Sequence, residues 1–320
     1  MPLLEVRGLK TYFHGSRGAI KAVDGVDFSV EQGMALGLVG ESGCGKSITC
    51  LSVLRVVPEP GRIEGGEILF RGEDLVKKSE PEMRGIRGKH ISMILQDPMS
   101  SLNPAYSVGE QVAEAIRIHQ RLKGRSLWAK VLEILRLVRI PSAESRMYDY
   151  PHMFSGGMRQ RVAGAIAVSC EPGLLIADEP TTSLDVTTQA IFLRLLKDIQ
   201  KKSGLAMIFI THDFGIVAKM CDQVAVMYAG KIIENAPVRE IFNNPRHPYT
   251  RALMDSVPKL EKKVSRLFNI PGQPPSLYDL AAGCAFKPRC PSGEGKCSSD
   301  EFPPVVEVGN GHRVRCWKYG

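Results

Sequence analysis

Gly40, Glu41, Ser42, Gly43, Cys44, Gly45, Lys46 and Ser47 satisfy the spacing G-x-x-x-x-G-K-[ST]. They lie between an apolar run, Met34–Val39, that reads as a buried strand and a helical run, Ser47–Val57, whose second residue, Ile48, is taken with the loop as a nucleotide-binding candidate. Glycines at these positions let the backbone curl so that its N–H groups point inward, and the helix N-terminus adds the positive end of its dipole. Lys46 can then reach β- and γ-phosphates, and the Ser47 hydroxyl can coordinate Mg²⁺. A glycine-rich turn matched by accident is the bland alternative. The strand-to-helix context argues against it, so these residues are read as a nucleotide site.

Two further strand ends carry acid–base groups. The apolar run Leu174–Ala177 ends in Asp178 and Glu179, one carboxylate suited to a magnesium shell and the next to polarising a water. Such a pair often only caps the following helix, and its position downstream of a phosphate loop is what raises it. Thr211, His212 and Asp213 close the strand Ala206–Ile210, which puts His212 at a corresponding edge. Ser155, Gly156 and Gly157 open a helix over Met158–Val168 and offer a second anion-attracting N-terminus. Taken alone, those three residues are an ordinary cap.

The elements that must position these groups alternate between strand-like and helix-like over the first 255 residues or so, the pattern of an α/β domain with a largely parallel sheet. Glu67–Arg71 and Ile91–Leu95 read as further strands, and Thr187–Lys202 as a helix. Val108–Ile140 interrupts the alternation with apolar residues at helical spacing, as an inserted helical subdomain would. The composition is that of a globular protein: 320 residues, 43% hydrophobic, 24% charged, with a net charge of +8. Collagen, coiled coil and wholesale disorder are excluded as the main architecture. No apolar run approaches the length of a spanning helix and no secretory signal is evident, so a soluble, cytoplasmic protein is expected. The mild positive charge suits phosphate ligands, nucleic acid or an acidic membrane face without choosing among them.

Phe154 to Arg161, the run LLIADEPTTSLD ending at Asp185, and Thr211–Asp213 resemble the ATP-binding-cassette (ABC) ATPases in motif, order and spacing. The resemblance covers about Leu4–Val257. Phe154 and Met158 depart from the common LSGGQ letters, while Ser155, Gly156 and Gly157 are intact. Within ISMILQDPMSSLNP, Gln96 matches the family's glutamine loop, and Phe13 or Tyr12 stands where its adenine-stacking aromatic belongs, with Phe13 preferred. The resemblance implies an α/β P-loop domain: a RecA-like core, an antiparallel β subdomain and a helical insertion over about 97–160. It implies catalytic roles for Glu179, His212 and Gln96, with Mg²⁺ held by Ser47, Gln96 and Asp178. It also implies a head-to-tail dimer in which ATP lies between the phosphate loop of one subunit and the Ser155 helix of the other, Asp185 sitting at the interface.

From about Ser256 the chain is rich in proline and poor in periodicity, and it carries Cys284, Cys290, Cys297 and Cys316 at the spacing C-x5-C-x6-C-x18-C. This pattern fits neither a zinc ribbon nor a ferredoxin run, and says only that four thiols occupy a weak-core segment that a metal would staple. The segments Asn244–Thr250, Ile270–Leu277 and Gly283–Pro291 resemble the C-terminal extension of dipeptide and oligopeptide importer ATPases. That resemblance implies a small irregular metal-binding domain over 256–320 with one 4Fe-4S cluster, for which zinc is the main rival since spacing alone does not choose between them, alongside an ATPase domain over 1–255. It further implies a second ATPase subunit in a heterodimer, two integral-membrane permease subunits and, indirectly, a substrate-binding protein, at the cytoplasmic face of the cell membrane. Nickel and oligosaccharide importers share much of this tail. A nucleic-acid-associated ATPase would need a coiled-coil insertion or a second cassette, and neither is present, so no nucleic-acid partner is expected. An iron–sulfur-associated ATPase is the remaining alternative class.

Overall fold

The computed structural model of this chain describes residues 1–320 except 17, 97–100, 183, 258–267, 279, 281 and 294. The first residues of the expected helical insertion, Ser100 among them, and part of the expected tail lie outside the described residues.

In chain order, β1 (Leu4–Gly15) and β2 (Gly18–Val30) lead to β3 (Ala35–Val39), α1 (Lys46–Val53), β4 (Gly61–Phe70) and β5 (Glu73–Asp74). Then come α2 (Glu80–Ile86), β6 (Ile91–Ile94), α3 (Val108–Gln120), α4 (Gly124–Leu137), α5 (Ala143–Arg146) and α6 (Gly156–Val168). They are followed by β7 (Leu174–Asp178), α7 (Val186–Ser203), β8 (Ala206–Ile210), α8 (Phe214–Met220), β9 (Gln223–Tyr228) and β10 (Lys231–Pro237). The chain ends with α9 (Val238–Asn243), α10 (Pro248–Ser256), β11 (Val306–Glu307) and β12 (Arg313–Val314).

These elements form two compact units. One comprises Leu4–Ser29, Ala35–Val76 and Ile210–Gly320; the other comprises Met1–Leu3, Val30–Met34 and Lys77–Phe209. The first unit contains an antiparallel sheet in the order β2-β1-β4-β5 and a second set of strands in the order β11-β12-β10-β9-β3. The β3–β9 contact there is parallel, while β9–β10, β10–β12 and β11–β12 are antiparallel. In the other unit, β8, β7 and β6 lie in that order, with β6 and β7 parallel. Every residue of β3, β7 and β8 is buried, as expected of strands covered on both faces. β4 instead alternates, with Ile68 and Phe70 turned inward.

The expected strands and helices are present with shifted ends. The helix after the phosphate loop stops at Val53 because Arg55 takes a left-handed conformation at φ 52°. The single stretch expected over Val108–Ile140 is two helices: Arg121, at φ 56°, closes α3 before α4 begins. Val112, Ala113 and Ile116 of α3 and Val131, Ile134 and Leu135 of α4 are buried and supply the apolar seam between them. Among the described residues no helix is long and apolar enough to cross a membrane.

Candidate nucleotide-binding and hydrolysis site

The phosphate loop joins β3 to α1. Gly40 and Gly45 stand at φ 153° and 107°, and a Cβ on either would lie 2.3 Å from the Met227 carbonyl or 2.2 Å from the Ala22 carbonyl. Glycine is therefore required where the loop meets neighbouring backbone. Gly45 precedes α1 without any side-chain cap, so the first N–H groups of that helix remain available to an anion. Lys46 is buried, and its ammonium donates to the carbonyls of Gly40 at 2.8 Å and Glu41 at 2.9 Å. Ser42 and Gly43 are exposed at the crest of the loop. A tight glycine turn leading into an uncapped helix start, with one buried ammonium, fits a triphosphate. The nearby Ser47 hydroxyl fits a hard cation.

Cys44 fills the inside of this turn at 6% exposure, with its sulfur 3.7 Å from the Lys46 nitrogen. Burial raises the thiol above its ordinary pKa, and Lys46 only partly offsets this.

In the same unit, Thr211 donates its N–H to the Leu38 carbonyl at 3.4 Å, which places the exposed His212 just past the end of β3, beside the start of the loop. Thr11 of β1 meets Ser52 of α1 through their hydroxyls at 2.8 Å. Alternation along β1 puts Phe13 on that same face, where its ring edge would lie 2.6 Å from a Cβ on Gly61. Tyr12 lies on the opposite face, its hydroxyl donating to Asp24 at 2.6 Å.

The other unit carries the carboxylates. Parallel register pairs Ile94 of β6 with Ala177 of β7, so Gln96 and Glu179, each two residues further on, emerge side by side. Gln96 Nε2 donates to Glu179 Oε2 at 3.1 Å, and the Thr182 hydroxyl donates to the same oxygen at 3.0 Å. Glu179 adopts φ 42°, a conformation costly for a residue with a side chain and one that recurs at functional sites. Asp178, at the end of β7, is buried.

Ser155 caps α6 by accepting from the Met158 N–H at 3.4 Å, and it is exposed together with Gly156. A Cβ on Gly157 would lie 2.2 Å from the Thr188 methyl in the first turn of α7. Asp185 caps α7 by accepting from the Thr188 N–H at 2.9 Å, and that bond holds its carboxyl below the usual range.

Two residues that the sequence reading did not single out bear on the loop. The Tyr249 hydroxyl accepts the Glu41 N–H at 2.8 Å. Arg289 holds the Glu41 carboxylate with both terminal nitrogens, at 2.6 and 2.9 Å. Arg289 is 248 residues from its partner, a distance over which no local spacing carries a signal.

The tail is anchored by a buried carboxylate. Glu234 of β10 accepts from the His312 ring at 2.7 Å and from the N–H groups of Arg246 and His247 at 2.6 and 2.9 Å. His247 is buried, and burial pushes its pKa down to about 4.

The expected metal domain is present in a coarser form, as a cavity lined by the four cysteines. Cys284, Cys290, Cys297 and Cys316 do line one cavity of about 20 Å³, with His247 and Phe286 beside them. Yet among the described residues no three His, Cys, Asp or Glu side chains stand where they could hold a metal ion. Burial pushes the Cys284 thiol up to about 11, and the other three sulfurs add to the rise.

Comparison with known proteins fits this geometry. The family pattern described as ABC transporter matches residues 23–182, and that of the oligopeptide/dipeptide transporter C-terminal region matches 233–297. A probable peptide ABC transporter ATP-binding protein of Sinorhizobium fredii is 51% identical over 99% of this chain and 95% of its own length. The oligopeptide transport ATP-binding protein OppD of Bacillus subtilis is 49% identical, covering 98% of this chain and 88% of that one. Among solved structures, the cassette MJ0796 bound to ADP and phosphate superposes with a TM-score of 0.67 at 22% identity. It covers 74% of this chain and 99% of its own, and at that identity it speaks for the fold alone. With the phosphate loop, the paired Gln96 and Glu179 and the capped Ser155 helix in place, the chain belongs to the ABC transporter ATPases and resembles the ATP-binding proteins of peptide importers.

Proposed function

We propose that this chain is the ATP-hydrolysing subunit of a peptide importer. It would work at the cytoplasmic face of the cell membrane with a second, different ATPase subunit and two integral-membrane permeases, supplied indirectly by a substrate-binding protein. The observation that carries the peptide reading is the match of residues 233–297 to the peptide-transporter C-terminal region, on top of near-full-length similarity to peptide-transport ATPases.

In this reading the loop N–H groups and Lys46 bind the phosphates, Lys46 exchanging its carbonyl partners for β- and γ-oxygens. Phe13 takes the adenine, since it shares its strand face with the residues that meet α1. Ser47, Gln96 and Asp178 would hold Mg²⁺, which when bound neutralises charge developing on the transferred phosphoryl group. Glu179 orients a water and takes its proton, kept in place by Gln96 and Thr182, while His212 contacts the γ-phosphate. Ser155, Gly156 and Gly157 serve the partner's ATP, because their helix N-terminus is exposed and 13 residues long. Asp185 lies at that dimer interface. The groove of about 440 Å³ on the helical unit, lined by Ser101, Asn103, Tyr106 and Glu110 among others, receives a permease helix. The four cysteines form a metal site, ours to propose on their shared cavity and on the importer resemblance, and a 4Fe-4S cluster is the occupant we assign.

The roles separate by mutation. Lys46→Ala is expected to lose ATP binding. Glu179→Gln is expected to keep it while hydrolysis falls by about 10² or more, the usual contribution of a general base. Equal loss of nucleotide affinity in both variants, measured by equilibrium binding of MgATP, would sink the assignment.

A further inference from the structure

Glu41 places a carboxylate in the loop that is to receive a triphosphate, and every polar group of this residue is held. Its N–H donates to the Tyr249 hydroxyl at 2.8 Å, and its carbonyl accepts from Lys46 at 2.9 Å. Its carboxylate is gripped by both nitrogens of the Arg289 fork, at 2.6 and 2.9 Å. The Arg289 side chain is 4% exposed and that of Glu41 25%, so this pair is poorly screened by solvent. Arg289 is itself fixed: Nε donates to the Pro271 carbonyl at 2.9 Å, and its guanidinium lies within 6.0 Å of the Tyr228 and Phe286 ring centres. Tyr228, Tyr249 and Phe286 pack with ring centres 4.6 to 5.3 Å apart and form the floor under the ion pair.

We propose that Arg289 is a positioning residue for the phosphate loop: it neutralises Glu41 and holds its carboxylate off the phosphates, while Tyr249 fixes the backbone of the same residue. Lys46 leaves the Gly40 and Glu41 carbonyls when nucleotide enters. Arg289 and Tyr249 hold the loop's frame through that exchange. Without Arg289, an uncompensated carboxylate would face the incoming triphosphate and repel it. The proposal rests on the reading of residues 40–47 as the ATP site and adds to it a partner from the far end of the chain.

The test uses the full-length chain, with MgATP as the probe in equilibrium binding and steady-state hydrolysis. Arg289→Ala is expected to raise Kd and KM about tenfold, the size of one lost charge-assisted hydrogen bond, with kcat within about twofold. Adding Glu41→Gln to Arg289→Ala should restore most of the affinity, because it removes the charge that Arg289 had answered. A merely structural role would leave the affinity unrestored. Wild-type affinity in Arg289→Ala overturns the proposal, and so does a loss that Glu41→Gln fails to relieve. Lys46→Ala runs in parallel: if it bound MgATP like the wild type, the reading of the loop would fall, and the proposal with it.

Discussion

Cys44 is the residue at which the loop is chemically most vulnerable, although its environment protects it. Its sulfur would lie 2.8 Å from a Cβ on Gly40, so any adduct pushes directly on the loop's first glycine. Its folded pKa is raised by burial, so the reactive thiolate is scarce at pH 7 and grows as pH rises toward and beyond the ordinary thiol range. Iodoacetamide labelling, followed by mass spectrometry, should therefore be slow at neutral pH and accelerate in alkali. Bound MgATP should slow it further, and the labelled chain should bind no ATP. Stoichiometric modification of Cys44 with unchanged nucleotide affinity would refute this. The glycine-rich spacing showed that this cysteine sits inside the loop. It could not show that the thiol points inward, because that depends on Met227 and Lys46 closing around it.

At the scale of elements, the contact between the starts of α6 and α7 sets a tolerance of a single methyl group. Gly157→Ala would drive a Cβ to 2.2 Å from the Thr188 methyl and tilt the Ser155 cap away from its present direction. Hydrolysis is expected to fall by about tenfold or more, since misplacing a phosphate-stabilising donor costs on that order, while MgATP binding to the chain's own loop persists. Combining it with Thr188→Ser, which deletes the offending methyl, should recover a measurable part of the ATPase activity. No recovery would mean that Gly157 matters for another reason. The central strands were legible because their apolar runs are continuous: β7 and β8 lie within a residue of where they were expected. The long strands β1 and β2 were not assigned as such, because the exposed Lys10 and Lys21 and the half-buried Asp24 break their pattern. The turn at Arg121 was missed because arginine carries no turn signal, and its left-handed φ follows from packing α3 against α4.

For the whole molecule, the tail poses the open chemical question. Its attachment is plain: β12 pairs with β10, Glu234 gathers His312 and the backbone at Arg246 and His247, and Arg289 reaches the loop. Four thiols around one small cavity would be drawn inward by an ion that ionises them, which reverses the pKa logic of the metal-free chain. Anaerobically purified protein is then expected to be brown with about four irons per chain, and serine at Cys284, Cys290, Cys297 or Cys316 should bleach it. Colourless protein holding one zinc would replace the cluster with a different ion, and metal-free protein would leave the thiols as packing. Motif letters announced the nucleotide site because each motif is local. The tail's grip on that site was hidden because it joins residues 248 positions apart.

That grip has a consequence for anyone who cuts or recombines such chains. A cassette shortened after α10 would keep Glu41 and lose Arg289, leaving a bare negative charge at the threshold of its own fuel site. A chimera that joined this cassette to a foreign ending without an equivalent arginine would inherit the same defect. The two ends of the polypeptide are thus a single exchangeable part: whoever swaps the ending must also rewrite position 41.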